Sequence, residues 1–154
     1  MQTKRFTRLL DRFLGIEPAY AHCDVPCGIY DPHGAAIAAK TVYTMVKKLQ
    51  DLPVPVAAAS PNEHLAYRNT IVRMTTTKES HAQICKQEIL ILWTDYFKPE
   101  NAGLFPDLHD TFWKAAKLCT VNKQNVDLAK AQELMDAVAK ISEMFSKAEA
   151  AKKK

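Results

Sequence analysis

The chain has 154 residues, a mass of 17.3 kDa and a net charge of +4, with 47% apolar residues, 25% charged residues and only four glycines. That length suits one domain, and the scarcity of glycine argues against a turn-rich all-β fold and against disorder. Uninterrupted apolar runs such as Ile89 to Trp93 fall far short of the ~18–20 residues of a membrane span, so no membrane partner is expected.

Residues 1–21 carry Lys4, Arg5, Arg8 and Arg12 against Asp11 and Glu17, and three lysines form a basic tail at 151–154. The body between them is close to neutral. Without a basic stripe on the body, a nucleic-acid partner is not expected, although a modest positive field still attracts small anions. Segment 1–21 is amphipathic and ends in Ala19-Tyr20-Ala21, a small-x-small pattern suited to cleavage. Asp11-Arg12 interrupts the only candidate for a secretory apolar stretch. The segment therefore reads as a removable pro-segment needing a processing peptidase, and the protein as cytoplasmic.

Next comes the irregular stretch 22–31, His22-Cys23-Asp24-Val25-Pro26-Cys27-Gly28-Ile29-Tyr30-Asp31. Four helices are predicted over 32–150. The first opens at Asp31-Pro32, a capping residue followed by proline at the first helical position, and carries Ile37, Val42, Tyr43, Val46 and Leu49. The second opens at Ser60-Pro61-Asn62-Glu63, a capping box with proline at N1. It runs through Ile71, Met74, Ile84 and Leu92 to Phe97, weakest at the β-branched Thr75-Thr76-Thr77. The third opens at Pro106-Asp107 with Leu108, Phe112, Ala115, Ala116 and Cys119 inward. The fourth spans 124–147 with Leu128, Ala131, Leu134, Met135, Val138, Ile141 and Phe145 at three- and four-residue gaps. Four such stripes pack as an all-α, antiparallel up-down four-helix bundle, with 22–31 as an irregular N-terminal metal-binding hook.

Cys85 and Cys119 sit singly inside apolar stripes and read as buried small hydrophobes. Cys23 and Cys27 differ, because His22 and a turn-forming proline accompany them. As half of a zinc site they lack a second ligand pair at suitable spacing. As a disulfide couple they lack the usual Cys-x-x-Cys spacing at a helix start. Cleavage after Ala21 opens a third use: the His22 nitrogen becomes a free amine, and the Cys23 amide and two thiolates complete a planar N₂S₂ set. Tetragonal nitrogen geometry suits Ni(II) or Cu(II), and copper(II) tends to oxidise thiolates, which favours nickel. The His22 side chain is placed to reach an axial position.

The string His22 to Pro32 resembles the nickel hook of nickel-containing superoxide dismutases. Leu92-Trp93-Thr94-Asp95-Tyr96-Phe97-Lys98-Pro99 is similar to that family's Trp-Ser/Thr-Asp-Tyr-Phe-Lys-Pro signature, and Phe105 to His109 continues the likeness weakly. The resemblance implies a right-handed antiparallel four-helix subunit, a homohexamer, one nickel ion per subunit, superoxide as substrate, and pro-segment removal by a dedicated peptidase. It assigns the amine and axial imidazole to His22, the amide and a thiolate to Cys23, and the second thiolate to Cys27. It also implies that Asp24 and Pro26 hold the turn, that Tyr30 stands over the open metal face with Tyr96 hydrogen-bonded behind it, and that Lys98 guides the anion. Where better-known members place a Glu and an Arg to orient the imidazole, this chain has Ala38 and His81. Either His81 takes over the contact, or backbone and water position His22.

The implied reaction is disproportionation of superoxide to dioxygen and hydrogen peroxide by Ni(III)/Ni(II) cycling, the anionic sulfur donors bringing the higher state into range. A metal carrier using the same hook, and a metal-free thiol–disulfide module, are the competing classes. On pattern alone Tyr30 and Tyr96 also read as packing aromatics and Lys98 as a solvated helix-end charge.

Overall fold

The computed structural model describes residues 28–152. Among them four α-helices follow in order: α1 (His33–Gln50), α2 (Pro61–Ile91), α3 (Leu108–Gln124) and α4 (Leu128–Lys152), with no strand. α1 packs on α2 and α4, and α3 packs on the same two, so the helices form a square in chain order. This is the antiparallel bundle that the four apolar stripes predict.

The predicted starts rest on visible chemistry. The Asp31 carboxylate accepts the His33 backbone N–H at 2.7 Å, covering a donor that the first turn leaves free. At α2, Ser60 Oγ accepts the Glu63 N–H at 3.3 Å while the Glu63 carboxylate accepts the Ser60 N–H at 2.7 Å. α2 continues unbroken through Thr75–Thr77, where the Thr77 hydroxyl donates to the Arg73 carbonyl at 2.9 Å instead of opening the helix. α3 begins just past Asp107, whose carboxylate accepts from Thr111 Oγ1 at 3.3 Å and pairs with Lys140 of α4.

Two apolar residues predicted inward face out. Ile37 is 53% exposed because the buried stripe of α1 runs through Ala35, Ala38, Ala39, Val42 and Val46, a set of small side chains that lets α1 approach its neighbours closely. Ile84 is 43% exposed, its place taken by Ala82, Cys85 and Ile89. α3 runs to Gln124, and α4 starts at Leu128 rather than 124 because Asn125 is extended and interrupts the helix. Its apolar stripe is otherwise as predicted, with Leu134, Val138 and Ile141 buried and Leu128, Met135 and Phe145 packed against the core.

One residue in that core is charged. Lys78 of α2 is only 1% exposed, and its ammonium donates to the carbonyls of Asn122, Lys123 and Asn125 at 2.5, 3.0 and 2.8 Å. These carbonyls lie at the C-terminal end of α3, which carries partial negative charge and lacks intrahelical donors. Burial pushes the Lys78 pKa down, and the three acceptors offset part of that cost. Hydrogen bonds to a charged group contribute ~1.5–3 kcal/mol each at most, and these carbonyls can partly rehydrate. Lys78→Met should therefore lower unfolding free energy by about 2–3 kcal/mol in urea titration; a change below about 0.5 kcal/mol, ordinary for a surface site, would contradict this role.

Candidate metal centre

α2 does not end as a simple helix. Leu92–Tyr96 forms a π turn closed by the Phe97 N–H donating to the Leu92 carbonyl at 3.0 Å. The wider turn shifts the helix phase, and both Tyr96 and Phe97 point into the bundle, 5% and 7% exposed. Pro99 then closes the segment and opens a short 3₁₀ turn, Pro99–Gly103.

Tyr96 lies within a cluster of rings. Its centroid is 4.9 Å from Phe97, edge-on, and 4.5 Å from Phe145 of α4. The third neighbour comes from the N-terminal segment: Tyr30 meets Tyr96 edge to face at 5.6 Å and 62°. Such pairs contribute ~0.5–1.5 kcal/mol beyond their buried area, enough to give the segment one seat on the bundle. Just before it, Gly28 has φ +71°, a left-handed turn that an L side chain resists, and redirects the chain towards Tyr30.

Residues 29–31 form a small cleft with Glu88, Ile91 and Leu92 of the α2 end. Glu88 reaches across to the first turn of α1, where a Cβ on Gly34 would stand 3.1 Å from its Oε2. Only glycine admits the carboxylate so close without displacing it, and an acidic group at a helix start is favoured by the dipole. Tyr96 Oη donates to Glu149 Oε1 at 2.6 Å, and Lys152 pairs with the same oxygen at 2.7 Å while its ammonium sits 4.2 Å from the Tyr96 ring centroid. Burial, and then the Glu149 hydrogen bond, push the Tyr96 phenol up to about 12.

Of the sequence-predicted residues, the structure brings Tyr30 and Tyr96 together and leaves Lys98 exposed immediately after the π turn and Phe97. Ala38 is buried, and His81 Nδ1 lies 2.9 Å from the Thr77 carbonyl of its own helix; Glu88, not His81, lines the cleft. His22, Cys23, Asp24, Pro26 and Cys27 lie outside the described residues. Glu88, Glu149 and Lys152 are not marked by any motif. Glu149 and Lys152 do continue the α4 stripe four and seven residues beyond Phe145, and that spacing is the signal that finds them.

Among the described residues no three His, Cys, Asp or Glu side chains gather to hold a metal ion. The two described cysteines, Cys85 and Cys119, are fully buried free thiols that hydrogen-bond to each other; that contact and burial push the Cys85 thiol up, opposite to what a thiolate ligand needs.

The family profile of nickel-containing superoxide dismutases matches residues 17–149. The chain belongs to that family. Two curated nickel superoxide dismutases, from Streptomyces seoulensis and Streptomyces coelicolor, are 35% and 34% identical to it over 125 residues, covering 81% of this chain and 86% of each relative. A native nickel superoxide dismutase structure superposes with a TM-score of 0.71 at 31% identity, over 83% of this chain and 99% of that one. A structure with oxidised-state nickel ligation gives 0.69 at 32% identity, over 84% and 99%. The family match takes in residues 22–27, and the superpositions place the helical bundle within the same fold.

The Tyr96 environment has a consequence for alkaline stability. Its folded pKa of about 12 lies above the ordinary phenol value near 10. The protonated form is thus the stabilised one, its contribution complete below about pH 10 and lost as pH rises towards about 12. Thermal unfolding across that window should fall more steeply for the parent chain than for Tyr96→Phe; parallel curves would contradict the assignment.

Proposed function

We propose that this protein disproportionates superoxide to dioxygen and hydrogen peroxide using one nickel ion per subunit, held by residues 22–27 after residues 1–21 have been removed. The observation that carries the reading is the Tyr30–Tyr96 contact, which seats the chain three residues past Cys27 on the π turn of α2. The donor set fits nickel: His22 offers an amine and an imidazole, Cys23 an amide nitrogen and a thiolate, and Cys27 a second thiolate. Hard ligands alone leave nickel difficult to oxidise, whereas anionic sulfur and amidate stabilise the higher state. Bound there, the ion supplies one-electron Ni(III)/Ni(II) chemistry.

The remaining work belongs to the protein. Asp24 and Pro26 shape the turn between the two cysteines, and Gly28 redirects the chain to the bundle. Tyr30, braced by Tyr96, narrows the approach to the hook, so that a diatomic anion fits and larger thiol-reactive molecules do not. Lys98, exposed just past the π turn, adds positive potential near the entrance, which raises the arrival rate of an anion. His81 is not among the residues lining the cleft below 29–31, which supports positioning of His22 by backbone and water rather than by a charged partner.

A homohexamer is the assembly we assign. No residue of α2 before Lys78 is buried, and Leu65 and Val72 are 60% and 62% exposed there, alongside Ile37 on α1. Such outward apolar side chains favour burial against further subunits. No helix among the described residues is long and apolar enough to cross a membrane; with the interrupted apolar stretch of 1–21, this supports a cytoplasmic protein.

Chains beginning at Met1, Ala21 and His22 test the reading together. Only the His22 form should bind close to one nickel per subunit and remove superoxide, with activity falling by more than the ~10–100-fold typical of lost outer-shell partners when Cys23 or Cys27 becomes Ser. Equal activity in all three forms, or activity with zinc in place of nickel, would overturn it.

A further inference from the structure

The C-terminal turn of α4 reaches Tyr96 through Glu149 and Lys152. Tyr96 is almost fully buried, and the Glu149 carboxylate that its hydroxyl meets at 2.6 Å can only accept, while the Lys152 ammonium bears on the phenol as a donor. The single phenolic proton is therefore committed to Glu149. Any other group that reaches the Tyr96 oxygen must donate to it. Lys152 holds the same Glu149 oxygen at 2.7 Å and lies over the Tyr96 ring, so the carboxylate is fixed from one side and its charge partly offset.

We propose that Glu149 is a positioning residue of the centre, taking the Tyr96 proton so that Tyr96 is an acceptor towards every other group behind Tyr30, and that Lys152 sets how firmly it does so. The inference rests on the functional reading above for its role in turnover, but the Tyr96–Glu149–Lys152 arrangement stands independently of nickel. Its consequence is selectivity of contact. A protonated group such as water, the Tyr30 hydroxyl or product peroxide can bond to Tyr96, whereas superoxide, which is an acceptor only, cannot. The anion is thereby denied a resting place on Tyr96. Since Tyr30, Phe97 and Phe145 pack their rings against Tyr96, Glu149 and Lys152 are the charged groups that act on its phenol.

The two charged residues push in opposite directions, and this separates the proposal from a merely structural role. Tyrosine ring carbons labelled with ¹³C in the full chain report each phenol's titration, with Tyr96→Phe identifying the Tyr96 signal. Glu149→Gln should move the Tyr96 titration to lower pH and Lys152→Met should move it to higher pH, with the helical content of both variants unchanged. Shifts in the same direction, as fraying of the α4 end would produce, or no shift in either, would overturn the proposal. In the nickel-loaded chain beginning at His22, Glu149→Gln should retain full nickel content yet lose about tenfold in superoxide removal. Unchanged turnover would likewise overturn the positioning role. A parent chain that binds nickel but removes no superoxide would instead overturn the functional reading, leaving the opposed titration shifts to decide the Tyr96 arrangement.

Discussion

One extra residue in the last turn of α2 organises this end of the molecule. A regular α-helix continued through Leu92–Tyr96 would rotate the following side chains by a different angle. The i→i+5 bond from Phe97 to Leu92 widens that turn, and Tyr96 and Phe97 both enter the bundle. Phe97 then packs edge-on against Phe105 and Phe112, which anchors the loop to α3, while Tyr96 reaches Phe145 and Glu149 on α4 and Tyr30 on the N-terminal segment. Three otherwise separate pieces of chain meet on two adjacent rings. The geometry costs some helical hydrogen bonding and is held by aromatic packing on both sides, a common circumstance for π turns at functional sites.

The rest of the bundle is built to keep that end fixed. α1 presents alanines inward and so lies close to its partners, and Gly34 gives the Glu88 carboxylate room at the start of α1. At the other end, the buried Lys78 joins α2 to the C-terminus of α3, and the Asn122 amide donates to the Leu118 and Lys130 carbonyls, tying α3 to α4. Trp93 stacks on Phe112 at 5.9 Å and donates its indole N–H to His109 Nδ1 at 2.9 Å, which fixes the His109 proton on the other ring nitrogen. These contacts tie the helices to one another, so the bundle offers a firm scaffold to the N-terminal segment that meets it at Tyr30.

The sequence reveals the features whose signals are periodic or local in the chain. The capping box at Ser60, the proline stops and the three-and-four spacing of α4 were all legible because each is determined within a few residues. Ile37 and Ile84 point outward for a reason that hydrophobicity alone does not carry: neighbouring alanines fill the narrow interface better than larger side chains. The π turn has no compositional mark, since Trp93, Thr94 and Asp95 suit an ordinary helix end as well. Lys78 likewise reads as a surface lysine until the end of α3 is seen to need donors. Around the centre, Tyr30 and Tyr96 emerge from motif resemblance and Glu149 and Lys152 lie on the continued α4 stripe, whereas what these two and Glu88 meet depends on which helices become neighbours, information that belongs to the tertiary fold.

The proposed function divides the labour between a short donor-rich segment for the metal, a pair of tyrosines that limit its approach, and a bundle whose own cysteines are buried. The central claim is that nickel takes its sulfur from the hook and not from the bundle. X-ray absorption at the nickel edge of the chain beginning at His22 measures this most directly. The account predicts two sulfur ligands, reduced to one by Cys23→Ser or by Cys27→Ser, and still two after Cys85→Ser or Cys119→Ser. A sulfur count indifferent to the hook substitutions, or lowered by those in the bundle, would contradict it.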